Sequence, residues 1–166
     1  MTNQRRVFIV ATFCFFLFLF FSAFLGCKSY SSGLKMAEFS FIDLDDKPFT
    51  QQDLRQEKPT AMLFFNPTCE HCQDEADSLT RRAADLRGVN IVWVAVAGKS
   101  EMKTFDSTYH LTFNEMKIVR DTAKKAGKLF GVKDVPSILL FDAQRNLVAK
   151  YAGTLNASKI LSELGQ

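Results

Sequence analysis

The chain has 166 residues, of which 47% are hydrophobic and 23% are charged, and its formal net charge is +3. This length accommodates one domain of ordinary size together with a short additional segment. Because the positive excess is small, the composition does not provide the strongly basic surface that nucleic-acid binding requires, and we exclude nucleic acid as a partner.

The first 26 residues are predicted to be a signal peptide of the lipoprotein type. Two arginines precede an uncharged stretch from 7 to 25, which is rich in phenylalanine, and small residues follow it. A basic start, a long apolar run and small residues at its end are typical of an export signal. The sequence Leu25-Gly26-Cys27 resembles the lipobox of bacterial lipoproteins. This resemblance implies that Cys27 carries a lipid and becomes the N-terminus of the mature protein.

An uncleaved transmembrane anchor is the alternative interpretation, since the apolar run approaches the ~20 residues that span a bilayer. In either case Arg5 and Arg6 stay on the cytoplasmic side, which places the rest of the chain outside the cytoplasm. Residues 27–37 are mostly small and polar and predict a flexible tether, and we expect the globular domain to span 38–166. Removal of the leader would lower the formal net charge from +3 to +1.

The first part of the domain predicts two strands. Phe39 and Phe41 begin a strand that ends at the turn-forming residues 45–48, and Thr50 can cap a short helical turn. Residues 60–65 form a continuous apolar run, which is typical of a strand buried on both faces.

A helix is predicted directly after this strand, beginning at Cys69-Glu70-His71-Cys72. Apolar residues recur at intervals of three and four through Ala76, Leu79, Ala83 and Leu86, and Gly88 ends the pattern. The sequence therefore places the first cysteine at the start of a helix and Cys72 one helical turn later.

The four cysteines fall into two groups. Cys14 lies in the apolar leader and Cys27 is the predicted lipid site, so the domain retains only Cys69 and Cys72. Two cysteines at this spacing form a redox-active dithiol, because the positive end of the helix stabilises Cys69 as the thiolate that attacks disulfides. Cys72 is then close enough to form a disulfide with Cys69 and to release the partner. We therefore predict that Cys69 is the more exposed and the more acidic thiol.

The rest of the chain alternates between strand patterns and helix patterns. Strands are expected at residues 91–97, 117–119, 137–141 and 147–151. Helices are expected at residues 100–109 with Ser100 as cap, from Asp121 or Thr122 to Phe130, and after Asn156. This alternation predicts an α/β fold with a sheet of mixed direction.

These features together resemble the thioredoxin-fold, membrane-tethered thiol-disulfide oxidoreductases of the TlpA and ResA-like redoxin family. The resemblance covers 38–166 and rests on the strand and dithiol helix of 60–86, the segment 131–137, Gly153 and the opening segment 39–49. It implies a three-layer fold in which helices flank a central mixed sheet, with an N-terminal hairpin extension. It also implies that the peptide bond before Pro136 is cis and that Val135 and Pro136 bind an extended client segment.

The resemblance also implies an activity and its partners. The domain would exchange disulfides with protein substrates, most simply as a reductase supplied by a membrane electron donor. No metal and no organic cofactor would be needed, because the Cys69–Cys72 pair itself carries the electrons. The sequence departs from thioredoxin at Leu63, which replaces a buried aspartate that accepts protons there.

A metal or client carrier without redox turnover is the alternative function, since copper carriers share this fold. A tetrahedral zinc site takes about four ligands, and the domain offers no more than Cys69, Cys72, His71 and His110. The copper carriers of this fold have a longer spacing between their cysteines, so we favour redox chemistry over a metal site.

Several residues have both a functional and a structural interpretation. His71 can lower the pKa of the neighbouring thiol and Glu70 can raise it, although both can simply face solvent. Glu75 can transfer protons, but a solvated position on an exposed helix face is the more frequent situation for a glutamate. We expect His110 at the surface and Trp93 in the core. Solvated positions are also expected for three lysines of one segment, Lys124, Lys125 and Lys128.

Overall fold

The computed structural model describes residues 34–166, so the predicted signal peptide, Cys27 and most of the predicted tether lie outside the described residues. Seven strands form one sheet in the order β2-β1-β5-β4-β3-β6-β7. The strands are β1 Ser40–Ile42, β2 Pro48–Thr50, β3 Thr60–Phe64, β4 Asn90–Ala95, β5 Lys117–Arg120, β6 Ser137–Phe141 and β7 Leu147–Ala152. Four helices accompany them, α1 Glu70–Arg81, α2 Lys99–Tyr109, α3 Ala126–Phe130 and α4 Ala157–Glu163. Within residues 34–166, no helix has the length and hydropathy of a membrane span.

The sheet is of mixed direction, as predicted. Strands β3, β4 and β5 run parallel to one another, whereas β6 pairs antiparallel with β3 and β7 with β6. Strands β1 and β2 form an antiparallel hairpin that joins the sheet through β5. The three-layer thioredoxin-like fold and its N-terminal hairpin are therefore confirmed.

The apolar run of β3 is unbroken because both faces of the sheet are covered. Its residues Ala61 and Leu63 belong to the core beneath α1, α2 and α4, which also contains Trp93 of β4. Met62 and Phe64 belong to a second core on the other face, built from hairpin phenylalanines and α3. Trp93 is fully buried, as predicted, with its ring edge-on to that of Phe65 at a centroid distance of 5.4 Å.

Helix α1 ends earlier than the hydrophobic spacing predicts. The pattern extends to Leu86, but the helix stops at Arg81, and a short 3-10 turn covers Asp85–Gly88. The backbone N–H of Arg82 donates to Leu79 and Thr80 carbonyls, and this tightening ends the α-helical ladder. Leu86 still reaches the core from the 3-10 turn, which explains why its spacing matched a longer helix.

Two helix starts also differ from the predictions, and that of α4 agrees. Helix α2 is capped at Gly98, whose N–H donates to the Glu101 carboxylate at 2.8 Å, instead of at Ser100. Helix α3 is capped at Lys125 instead of at Asp121 or Thr122, but the Asp121 carboxylate still accepts the N–H of Ala126 at 2.7 Å. Asn156 caps α4, as predicted.

Residues 34–36 lie at the end of the sheet opposite the dithiol. Leu147 donates its N–H to the Leu34 carbonyl at 2.8 Å, and Met36 donates to Arg145 at 2.8 Å, beside the turn between β6 and β7. Because β6 is antiparallel to β3, this turn lies at the start of β3, whereas the dithiol follows the end of β3.

Asn90 fixes the loop before β3 to the start of β4, and its loss is expected to destabilise the fold. Its side-chain oxygen accepts the N–H of Arg55 at 3.1 Å, and its amide donates to the Arg55 carbonyl at 3.0 Å. Asn90→Ala leaves these groups unpaired and should lower the free energy of unfolding by about 2–3 kcal/mol. Urea unfolding followed by the fluorescence of Trp93, the single tryptophan, measures the change.

The exposed Gln144→Ala is the matched control and should change stability by less than about 0.5 kcal/mol. Equal stabilities of the Asn90 and Gln144 variants would contradict the role assigned to Asn90.

Candidate active site

A short, hydrogen-bonded loop carries the chain from β3 to the first cysteine. The N–H of Phe65 donates to the Val94 carbonyl at 3.0 Å, which extends the pairing with β4 beyond the strand. The side-chain oxygen of Asn66 accepts both the N–H and the hydroxyl of Thr68 at 3.0 Å, and its carbonyl accepts the N–H of Cys69. This turn places Cys69 at the N-cap of α1.

The two cysteines differ in exposure, as predicted. Cys69 is partly exposed, whereas Cys72 is fully buried, and both are free thiols. Burial raises the pKa of Cys72 to about 12, with the neighbouring Cys69 and Glu75 adding to the effect against an opposing backbone contact from Asn66. A thiol in this position stays protonated at neutral pH unless a nearby group removes its proton.

Glu75 is buried on the same face of α1 as Cys72, which corrects the expectation of a solvated position. Only 3% of the residue is exposed. One carboxylate oxygen accepts the N–H of Leu155 at 2.8 Å, and the other has no hydrogen-bond partner among the described residues. Burial raises the pKa of Glu75 to about 7, although the bond from Leu155 acts in the opposite direction.

The burial of Glu75 has a signal in the sequence that the spacing argument missed. The buried stripe of α1 consists of Cys72, Glu75, Ala76 and Leu79, which recur at intervals of three, one and three. Glu75 therefore shares a helix face with the second cysteine and the core residues. A charged residue on the apolar face of an amphipathic helix indicates a buried functional or paired group.

The loop between β7 and α4 touches two parts of the site, and sequence reasoning did not identify its role. Gly153, at a φ of 100°, donates its N–H to the Pro136 carbonyl at 2.8 Å. Two residues later, Leu155 donates to Glu75. The same four-residue loop thus contacts the segment predicted to bind clients and the buried carboxylate.

The peptide bond between Val135 and Pro136 is cis, as predicted. Phe64 pairs with Ser137, so this bond lies beside the end of β3 from which the dithiol loop departs. Val135 is 42% exposed. It lines a groove of about 340 Å³, which we call the valine groove, together with Asn66, Val96, Asp121, Lys124 and several apolar residues.

The remaining predicted site residues lie at the surface. Glu70 and His71 occupy the exposed first turn of α1, so their influence on the thiols stays a prediction. His110 is exposed at the C-terminal end of α2, and Lys124, Lys125 and Lys128 are exposed, as expected. Within the described part of the chain, no group of three or more His, Cys, Asp or Glu residues is arranged to hold a metal ion.

Comparison with known proteins identifies the family of this chain. The model of the AhpC/TSA family matches residues 32–150. The soluble secreted antigen MPT53 of Mycobacterium tuberculosis is 35% identical over 80 residues, which are 48% of this chain and 46% of that protein. The chain therefore spans about half the length of the curated relatives it matches.

Two solved structures show the shared fold. One is dsbF from MTB, with a TM-score of 0.69 and 24% identity over 81% of this chain and 98% of that one. The other is a secreted disulfide oxidoreductase of Mycobacterium tuberculosis homologous to E. coli DsbE, with a TM-score of 0.65 and 23% identity over 76% of this chain and 94% of that one.

The buried carboxyl of Glu75 should make stability depend on pH. Because its pKa is about 7 in the folded state and 4.5 in the unfolded state, the folded state binds more protons between these values. The free energy of unfolding should therefore fall as pH rises from about 5 to 8, by up to about 3 kcal/mol. Urea unfolding across this range measures it.

Glu75→Gln keeps the side-chain shape and removes the titration, so it should flatten this dependence. Glu70→Gln removes the same charge from an exposed position and should retain the wild-type slope. A Glu75→Gln variant with the wild-type slope would show that another group causes the pH dependence.

Proposed function

The chain belongs to the AhpC/TSA family, and we propose that within this family it is an extracytoplasmic thiol-disulfide oxidoreductase that uses Cys69 and Cys72. One arrangement carries the proposal: an accessible thiol at a helix start, with a second thiol buried one turn later beside a buried carboxylate. The Cys69 thiol is accessible to a protein partner, whereas the buried Cys72 thiol can react only with Cys69. Glu75 can accept the proton of the Cys72 thiol.

In the first step the Cys69 thiolate attacks one sulfur of a client disulfide. The client S–S bond breaks, a bond forms between Cys69 and the client, and the second client sulfur leaves as a thiolate. The N-terminal end of α1 favours the thiolate form of Cys69, because the unpaired N–H groups there carry partial positive charge. His71 would add to this effect when protonated, and Glu70 would oppose it.

In the second step Cys72 releases the client. With a pKa of about 12, its thiol must lose a proton before it can attack Cys69. The unpaired oxygen of Glu75 is the acceptor, and its pKa of about 7 matches a base working near neutral pH. The Cys72 thiolate then attacks the Cys69 sulfur, and the client leaves as a thiolate. Two electrons have passed to the client, and the protein holds a Cys69–Cys72 disulfide.

Glu75 acts as the proton acceptor in place of the thioredoxin aspartate, whose position Leu63 occupies in this chain. The resemblance to thioredoxin placed a proton acceptor on β3, where this chain has a fully buried leucine. Here the acceptor comes from α1 instead, on the same helix face as Cys72. The N–H of Leu155 holds one oxygen of Glu75 and leaves the other for the proton.

The client is proposed to lie along Val135 and Pro136. Val135 is exposed beside the end of β3, and the valine groove extends the apolar surface to Val96, which is 57% exposed. A client segment in extended conformation could pair with the backbone here while an apolar side chain enters the groove. Protein substrates with disulfides are therefore the proposed partners.

The proposed direction is reduction, with electrons supplied by a membrane donor that re-reduces Cys69 and Cys72. Neither a metal nor an organic cofactor takes part in these steps. The proposed location is the cell envelope, with the domain outside the cytoplasm and anchored through lipid on Cys27. The secreted status of the relative MPT53 supports an extracytoplasmic location.

Turnover of a protein disulfide tests the proposal directly. The reduced protein should reduce the disulfides of insulin, and Cys69→Ala should abolish the reaction. A protein with both thiols verified as reduced that shows no turnover would support the carrier without redox activity instead.

The two cysteine variants should trap clients unequally. Cys72→Ala leaves the mixed disulfide on Cys69 without the buried thiol that resolves it, so clients should accumulate on the variant at least about tenfold over wild type. Cys69→Ala should trap little, because the remaining Cys72 is fully buried. Affinity purification after thiol blocking, run with and without reductant, counts the trapped species. Equal trapping by both variants would contradict this order of attack.

The proposed lipid anchor predicts a specific mature N-terminus. Residues 1–26 should be absent from the protein in the membrane fraction, and Cys27 should carry the added mass of a lipid, as intact-mass analysis would show. Cys27→Ser should release the protein from the membrane. A full-length N-terminus with unchanged attachment of that variant would instead establish the uncleaved anchor.

A further inference from the structure

A second groove borders the dithiol loop on the side of α1 and α2. It has a volume of about 340 Å³, and its lining includes Pro67, Thr68, Gln73, Glu101, Phe105 and Tyr109. We call it the threonine groove. It shares no lining residue with the valine groove, which lies against α3. Thr68 immediately precedes Cys69, so the groove begins one residue away from the reactive thiol.

The threonine groove carries a single negative charge. Glu101 is the only charged residue in its described lining, and within residues 34–166 its carboxylate has no ion-pair partner. One oxygen of Glu101 accepts the N–H of Gly98 at 2.8 Å, which holds the carboxylate at the start of α2. The other charged groups of α2 do not line the groove, so no cationic side chain of its described lining neutralises Glu101.

An aromatic wall stands beside this carboxylate. The rings of Phe105 and Tyr109 lie with centroids 4.7 Å apart, and Tyr109 is half-buried in the groove. Aromatic faces attract cations, Tyr more than an aliphatic residue of similar size. Hydroxyl oxygens of Thr68 and neighbouring α2 residues add hydrogen-bond acceptors for an ammonium or guanidinium group.

We propose that the threonine groove binds a lysine or arginine side chain of the client polypeptide, close in the client sequence to the cysteine that Cys69 attacks. The inference rests on the proposed oxidoreductase function and names a feature of its substrates. A carboxylate without an ion-pair partner, an aromatic wall and hydroxyl acceptors together fit a cationic side chain. An apolar side chain would leave Glu101 without a counter-ion, and an acidic one would be repelled by it.

The valine groove lacks such an uncompensated negative charge. Its lining contains one lysine, Lys124, and one carboxylate, Asp121, which is buried and accepts the N–H groups of Lys125 and Ala126. A cationic client residue is therefore attracted to the threonine groove and not to the valine groove. An extended chain advances about 3.3 Å per residue, so the cationic residue must lie within a few positions of the client cysteine.

Reduction of matched peptide disulfides tests the proposal. Three peptides differ only at the residue two positions from the cysteine, which is lysine, norleucine or glutamate. The full-length reduced protein should react with the lysine peptide about three- to thirtyfold faster than with the norleucine peptide, and slowest with the glutamate peptide. The lysine preference should shrink as ionic strength rises, because salt screens the attraction.

Glu101→Gln isolates the charge, since glutamine can still accept the N–H of Gly98 and so keep the helix cap. It should lower the rate ratio of lysine to norleucine peptide about two- to fivefold. Tyr109→Leu should lower the same ratio to a similar extent. The exposed carboxylate of Glu57 lies outside both grooves, and Glu57→Gln should leave the ratio unchanged.

The outcomes separate this inference from the function on which it rests. Equal rates for the lysine and norleucine peptides, a preference for glutamate, or an unchanged ratio in Glu101→Gln would each overturn the cation site while leaving the oxidoreductase function standing. Failure to reduce any of the three peptides would overturn the function itself and the cation site with it.

Discussion

The pairing of β3 on both sides is the constraint on which the site depends. Phe64 lies opposite Val94 of β4 and opposite Ser137 of β6, so the end of β3 is held in the middle of the sheet. This register brings the segment after β3, which carries Cys69, next to the segment before β6, which carries Pro136. Since β3 is buried on both faces, a shift of one residue would exchange its two core faces, and the register is therefore strongly determined.

Cys69 is partly exposed, whereas Cys72 and Glu75 are buried, and this difference separates their roles in the proposed reaction. Cys69 stays accessible at the helix start, where a protein partner can reach it. Cys72 and Glu75 lie one turn apart on the buried face of α1, where low polarity disfavours charge on either group. Burial therefore raises the pKa of Cys72 to about 12 and that of Glu75 to about 7. The proposed proton transfer between them leaves the total charge of this buried region unchanged.

The loop between β7 and α4 connects Glu75, the proposed proton acceptor, with the proposed client surface. Gly153 bonds to the carbonyl of Pro136 and Leu155 bonds to Glu75, so one short loop contacts both. The two grooves beside the dithiol differ in charge, because Glu101 is the only charged residue in the described lining of one, whereas Lys124 and Asp121 both line the other.

The sequence by itself determined the strand, the helix start and the cysteine pair, because these depend on local hydrophobic runs and on spacing within one helical turn. The resemblance to known redoxins added the cis peptide bond before Pro136 and the N-terminal hairpin. The end of α1 was beyond the sequence pattern, since Leu86 reaches the core from a 3-10 turn that preserves helical spacing. Only the tertiary structure decided the hydrogen bonding of Glu75, because its single partner is the N–H of Leu155, which is 80 residues away in the chain.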